Sequence, residues 1–169
     1  DDGGIVPVQQ PVTSAEIEAF VASVRSQSDG PAHGNDADMA TEHRQLLDLV
    51  PRSDATHIAV SDGDWFDPNI WYEGRIPDAD AKVLIPEGIS VNYDGESDAS
   101  LFTVRVDGEL GFAHDVDTRM VVDTFVVSAT GRLEIGTAES PIDANVNVDI
   151  VIANNGDIDV NWDPTLLSR

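Results

Sequence analysis

The phrase "VRVDGELGF" at residues 104–112 returns as "VVSATGRLEIG" at residues 126–136. In both, a short apolar run leads to a glycine, a charged residue, a leucine and a second short run. Such glycines recur at intervals of 20, 23 and 25 residues, at Gly88, Gly108, Gly131 and Gly156. A unit of this length cannot bury its own apolar face, so successive units must stack on one another.

Two mainly β architectures fit this repeat. A β-sandwich with regular hairpins also places turns at short intervals. A parallel β-helix, a short solenoid, additionally requires the same residue types to recur in the same phase, because each rung stacks on the last. The matching phase favours the β-helix. It predicts that Leu110 and Leu133 occupy equivalent, buried positions of successive rungs.

The N-terminal part of the chain has a helical pattern instead. Apolar residues at helical spacing, with Thr13 and Glu16 placed as a capping box, predict a helix over about residues 14–27. The stretch "MATEHRQLLDLV" predicts a second helix that ends at Pro51. We therefore expect a helical N-terminal arm over residues 1–56, packing on or capping the first rung of a β module over residues 57–169.

The charge of the chain restricts its partners. There are 32 Asp and Glu residues against 9 Lys and Arg, a formal net charge of -23. This charge disfavours nucleic acid and anionic membrane surfaces, and it suits a protein from a marine or halophilic source. No apolar run is long enough for membrane insertion. The chain has no cysteine, which excludes disulfides and thiolate metal sites.

The stretch "SDGDWFDPNIWYEGRIPDADAKVLIPEGISVNYD", together with the glycine phrases, resembles the G8 (eight-glycine) domain family. Its two tryptophans, its Val-x-Ile-Pro strand and its Gly-x-Leu motifs follow the order of that family. The matching positions are Gly63, Trp65, Trp71, Gly74, Pro77, Val83, Ile85, Pro86, Gly88, Val91, Val106, Gly108, Leu110, Gly131, Leu133, Ile135 and Gly136. One departure is Asp80-Ala81, where the family commonly has Gly-Asp.

The resemblance implies a right-handed β-helix, secretion or surface display, and a carbohydrate context, since relatives bind or depolymerise hyaluronan. It transfers no catalytic residue. The expected partner is a polysaccharide or glycosaminoglycan. Three functions stay open: an extracellular glycan-binding module, a polysaccharide-cleaving enzyme whose active groove lies largely beyond residue 169, and a structural cap or assembly subunit without a ligand.

Aromatic residues supply the first candidate ligand contacts. Trp65 and Trp71 could stack on sugar rings, although such a pair more often packs at the end of a core. In "HDVD", His114 stands beside Asp115 and Asp117, the ingredients of acid–base chemistry or of a metal site.

A second set of candidates is acidic. Asp62, Asp64 and Asp67 offer hard oxygen ligands for calcium, without the spacing of an EF-hand loop. Solvated surface acids are the simpler interpretation. No cofactor other than calcium is predicted.

The last rung of a β-helix leaves one strand edge bare, and bare edges recruit partners. After Gly156 no segment resembles a cap, although Trp162, Leu166 and Leu167 are apolar. We therefore expect another chain, a second copy or further rungs to cover the C-terminal end of the stack.

Overall fold

The computed structural model describes residues 13–29, 37–153 and 161–162. Gly156, Leu166 and Leu167 lie outside these residues. Two helices, α1 (Ser14–Ser26) and α2 (Ala37–Asp48), come first, and three short 3-10 turns follow at Arg52–Asp54, Pro68–Ile70 and Tyr72–Gly74. The strands are β1 (His57–Ile58), β2 (Gly63–Asp64), β3 (Lys82–Ile85), β4 (Ser90–Tyr93), β5 (Glu96–Val106), β6 (Glu109–Phe112), β7 (Thr118–Val127), β8 (Arg132–Ile135) and β9 (Val148–Ile152).

The chain alternates between two sheets. The odd-numbered strands form a five-stranded sheet in the order β1-β3-β5-β7-β9, and the even-numbered strands form a four-stranded sheet in the order β2-β4-β6-β8. Every neighbouring pair in both sheets is parallel. The fold is a parallel β-solenoid of about four turns, as predicted. The alternative β-sandwich is wrong, because its sheets would be antiparallel.

The glycine repeat has a steric cause. A Cβ atom on Gly108 would collide with the carbonyl oxygens of Pro86 and Ile89, and one on Gly131 would collide with the carbonyl oxygen of Val106. Each of these glycines passes closely over the backbone of the preceding turn, where only glycine fits.

The predicted register between successive rungs is correct for one pair of rungs and wrong by one residue for another. Leu110 lies opposite Leu133, as expected. Val91 lies opposite Leu110, which is one residue away from the register that alignment on Gly88 predicts.

The core lies between the two sheets, and among the described residues no further strand closes its C-terminal end. Leu110 is 0% exposed, as predicted, but Leu133 is 37% exposed, so the prediction of burial is wrong there. In the part of the chain that the structure describes, no strand pairs with the far edge of β8, so nothing covers Leu133 from that side. Ile135 on β8 is exposed for the same reason. In the other sheet, Val127 lies beyond the part of β7 that β9 pairs with, and Ile152 lies on the last described strand, so both are exposed as well. The partners of these three residues on the preceding turn, Val106, Phe112 and Val122, are buried.

The arm packs along a flank of the solenoid. Helix α1 begins with the predicted capping box, in which Thr13 and Glu16 exchange hydrogen bonds. Its buried Val21 and Val24 cluster with Ile58 and Leu84, which lie on the first two strands of the five-stranded sheet. Helix α2 ends at Asp48, shortly before Pro51.

A cluster of four charges joins the arm to the same flank, and its two members on the solenoid, Arg105 and Asp107, are buried. On β5, Arg105 is 2% exposed, and its Nε donates to Asp107 Oδ1 at 2.9 Å. Arg52, from the 3-10 turn after α2, donates to Asp107 Oδ2 at 2.7 Å and to Asp29 Oδ1 at 2.8 Å. Arg105 also pairs with Asp29 and donates to the Val50 carbonyl at 3.1 Å. Two arginines and two aspartates thus neutralise one another between the arm and the sheet.

Candidate functional site

The two tryptophans that the sequence singles out lie inside the core. Trp65 and Trp71 are 1% and 2% exposed, with ring centroids 5.0 Å apart in an edge-to-face arrangement. Trp71 Nε1 donates to the Trp65 carbonyl at 2.7 Å, and the backbone of Trp71 forms an antiparallel bridge with Ala59. Tyr93 packs on Trp65 from the next turn. A sugar could reach these rings only if this layer opened, so glycan stacking here stays a prediction.

The three candidate calcium ligands each bond to a neighbouring residue. Asp62 Oδ1 accepts from the Ser90 amide at 2.8 Å, and Asp64 Oδ1 accepts from Asn92 Nδ2 at 2.9 Å. Asp67 caps the 3-10 turn that follows it, accepting from the amide of residue 69 at 2.8 Å. Among the described residues, no group of three or more His, Cys, Asp or Glu side chains could hold a metal ion. Calcium binding at these residues stays a prediction.

The His114 to Asp117 stretch forms an exposed turn after β6. The His114 carbonyl accepts from the Asp143 amide at 2.9 Å, and Asp117 Oδ1 accepts from the Asn147 amide at 2.8 Å. These two hydrogen bonds hold the loop between β8 and β9 against this turn. The candidate residues therefore occupy three places: the core, the surface beside β2, and this turn. Asp115 is exposed in the turn as well.

The outward surface of the four-stranded sheet brings polar side chains together in two columns. Strands β4 and β6 alternate outward and buried residues, so that alternate side chains face solvent. The first column, by register, is Ser90, Glu109 and Arg132. The second is Asp64, Asn92, Gly111 and Glu134. We call these seven residues the outer face. The second column spans about 14 Å at the usual strand spacing of about 4.8 Å.

Gly111 leaves a notch in the middle of the outer face. A Cβ atom added there meets nothing within 4 Å, so the space above its backbone is open. The flanking side chains of the column are Asn92 on one side and Glu134 on the other, and Glu134 pairs with Arg132. Carboxylate, amide and guanidinium groups therefore surround a gap about 10 Å wide, two strand spacings across. Such a surface can donate and accept several hydrogen bonds to one polar ligand.

The family follows from a match that covers more than half of the chain. The family model of the G8 domain matches residues 70–169. This chain belongs to the G8 domain family. No curated protein and no solved structure matches the chain.

Sequence reasoning missed most of the outer face of this G8 domain. It found Asp64 through its acidic neighbours, but not Glu109, Arg132 or Glu134. A signal was present, because the residues on either side of the stacked Leu110 and its equivalents must point outward. No helix among the described residues of the G8 domain chain is long and apolar enough to cross a bilayer.

His57 and Tyr93 have shifted pKa values, and both side chains are buried and are not part of the outer face. Burial, and then Arg75, lowers the pKa of His57 from its ordinary 6.5, while Asp78 and Glu73 act in the opposite direction. Burial, and then Asp94, raises the pKa of Tyr93, whose hydroxyl donates to the Arg119 carbonyl at 2.7 Å. These shifts come from packing, and we assign no acid–base role to either group.

Proposed function

We propose that this G8 domain is an extracellular glycan-binding module and that it holds a polysaccharide on its outer face. The observation that carries the proposal is the pair of polar columns, which presents donors and acceptors at regular strand spacing beside an open notch. Membership of the G8 family supports the carbohydrate context and the extracellular location. The notch at Gly111 admits a sugar unit to the backbone, and the neighbouring side chains bind its hydroxyls.

The charge of the protein favours an uncharged polysaccharide. The chain carries a formal charge of -23, and the outer face has three carboxylates, from Asp64, Glu109 and Glu134, against one guanidinium. A glycosaminoglycan is a polyanion, so this field repels it at low ionic strength. Neutral glycans meet no such repulsion. Hyaluronan should therefore bind more weakly than a neutral glycan, and more tightly as salt increases.

Filling the notch tests the proposal. Gly111→Phe places a ring in open space on a β-strand, and aromatic residues are favourable in strands in general. We expect at least about a tenfold loss of affinity, which corresponds to about 1.4 kcal/mol, with an unchanged melting temperature. Ala138→Phe, at an exposed loop position, is the matched control. Affinity electrophoresis and calorimetry with xylan, β-glucan, galactomannan and hyaluronan measure the effect.

Two results would contradict the proposal: no binding of any of these polymers by the unaltered chain, or equal affinity of the Gly111→Phe and Ala138→Phe variants. If new reducing or unsaturated ends form in the polymer during the incubation, the function is cleavage rather than binding.

The open end of the solenoid favours a second candidate function, assembly with another chain. Val127, Leu133, Ile135 and Ile152 are 38%, 37%, 43% and 52% exposed on the last strands that the structure describes. A second copy or another β-rich chain would cover these residues and the bare edge of β8. Sedimentation at about 100 μM tests this: the unaltered chain should self-associate or bind its partner, and Ile135→Ser should weaken that association. A monomer that binds no protein would exclude assembly.

A further inference from the structure

The third tryptophan of the chain has different surroundings from the other two. The chain has three tryptophans, of which Trp65 and Trp71 are buried in the core. Trp162 is partly exposed. Its ring centroid lies 4.8 Å from that of Phe102 on β5, with the two planes tilted by 45°. Phe102 is also partly exposed, so an aromatic pair meets solvent on the five-stranded sheet.

The single lysine of the chain lies at the same place. Lys82 Nζ is 5.5 Å from the centroid of the Phe102 ring and 3.5 Å from Asp54 Oδ2. About a third of the Lys82 side chain and half of the Asp54 side chain are exposed, at 32% and 51%. An ammonium thus lies over the Phe102 ring of the aromatic pair, and the carboxylate beside it largely offsets its charge.

We propose that Phe102, Trp162 and Lys82 form an aromatic subsite for one uncharged pyranose ring. This inference rests on the proposed function and adds a second contact for the same class of ligand. The apolar C–H face of a pyranose packs on an aromatic ring, and its hydroxyls then lie at the ring edge. The ammonium of Lys82, which lies over the Phe102 ring, can donate to these hydroxyls, and the carboxylate of Asp54 can accept from them.

The charge balance of the subsite determines the kind of sugar. Because Lys82 is already paired with Asp54, it offers no unopposed positive charge for a uronate. A neutral hexose or an N-acetylated sugar loses nothing by this pairing. The subsite should therefore discriminate against acidic sugars.

Tryptophan fluorescence of the full chain tests the subsite, because its two other tryptophans are buried. The probes are chitohexaose and cellohexaose, with a hyaluronan hexasaccharide as the acidic comparison. A neutral oligosaccharide should shift the emission to shorter wavelength and protect one tryptophan from acrylamide. Trp162→Phe, which keeps an aromatic contact with Phe102, should remove this response. Trp162→Ala and Lys82→Gln should each weaken binding by about three- to tenfold.

The outcomes separate this inference from the proposed function. If the unaltered chain binds a neutral glycan without any change in tryptophan emission or quenching, the subsite is wrong and the glycan-binding function stands. Affinities of Trp162→Ala and Lys82→Gln equal to that of the unaltered chain would lead to the same conclusion. If no glycan binds at all, both fail. Should Trp162→Ala unfold, the protection of one tryptophan in the unaltered chain decides the question.

Discussion

The same substitution, leucine to alanine, can be compared at Leu110 and Leu133, which occupy equivalent positions of two successive rungs. They lie opposite each other on β6 and β8, yet Leu110 is 0% exposed and Leu133 is 37% exposed. Leu110→Ala removes a fully buried side chain between two rungs and should cost about 3 kcal/mol, from lost burial and the cavity that remains. At Leu133 about six-tenths of the burial is present and no closed cavity forms, so the cost should be about 1 kcal/mol.

Thermal and urea unfolding of both variants measure this difference. For a chain of this size, 1 kcal/mol corresponds to about 2–4 °C, so Leu110→Ala should lower the melting temperature by about 6–12 °C and Leu133→Ala by about 2–4 °C. Equal losses at both positions would refute the reasoning, because they would require Leu133 to be as well covered as Leu110. A small loss at Leu110 would refute the stacking of the rungs itself.

Three further predictions concern pH, salt and one strained residue. Because the pKa of His57 is lowered in the folded state, the unfolded state binds its proton first, and stability should fall as pH drops below 6.5, by up to about 1.4 kcal/mol per pH unit. Urea unfolding between pH 7.5 and 5.5 should show this slope and lose it in His57→Gln; an identical slope in both would contradict it. Because the net charge is -23, the melting temperature should rise from 0.05 to 1 M NaCl, and a flat profile would count against self-repulsion. Asp80, with a φ of 63°, stands where the family commonly has glycine, so Asp80→Gly should stabilise the fold by about 0.5 kcal/mol, and a loss on urea unfolding would contradict this.

The sequence predicts the architecture well because the repeat has a local steric cause. Gly108 and Gly131 are recognisable since no other residue fits over the preceding carbonyl groups, and the leucines two residues later follow from them. The register predicted at Gly88 is wrong by one residue, because the segment that joins the two strands of a rung changes length from one turn to the next. Periodicity does not predict the exposure of Leu133, because a rung has the same residue pattern whether or not a further rung covers it.

The candidate site was harder to predict than the fold. Residue type suggested Trp65 and Trp71, but only the three-dimensional arrangement reveals that both rings are enclosed. The outer face combines residues that are far apart in the chain, and no single segment contains a motif for it. Trp162 appears in the sequence only as one apolar residue after the last glycine, since its neighbour Phe102 is distant in the chain.

Arg105 and Asp107, buried on the solenoid flank, determine where the arm can sit through their contacts with Arg52 and Asp29. Val21 and Val24 of α1 pack on Ile58 and Leu84, and the next residue in this register is Arg105. A helix that slid by about one strand spacing, 4.8 Å, would therefore place its apolar side chains on a charged residue. Arg105 and Asp107 occur at one level only, and sliding would separate them from Arg52 and Asp29 of the arm. The charged pair therefore holds α1 at the first two strands of the five-stranded sheet, and an apolar pair in its place would let the helix move to the third strand. In a chain with Arg105→Met and Asp107→Leu, amide spectra should show α1 in more than one environment, whereas a single set of signals would contradict this role.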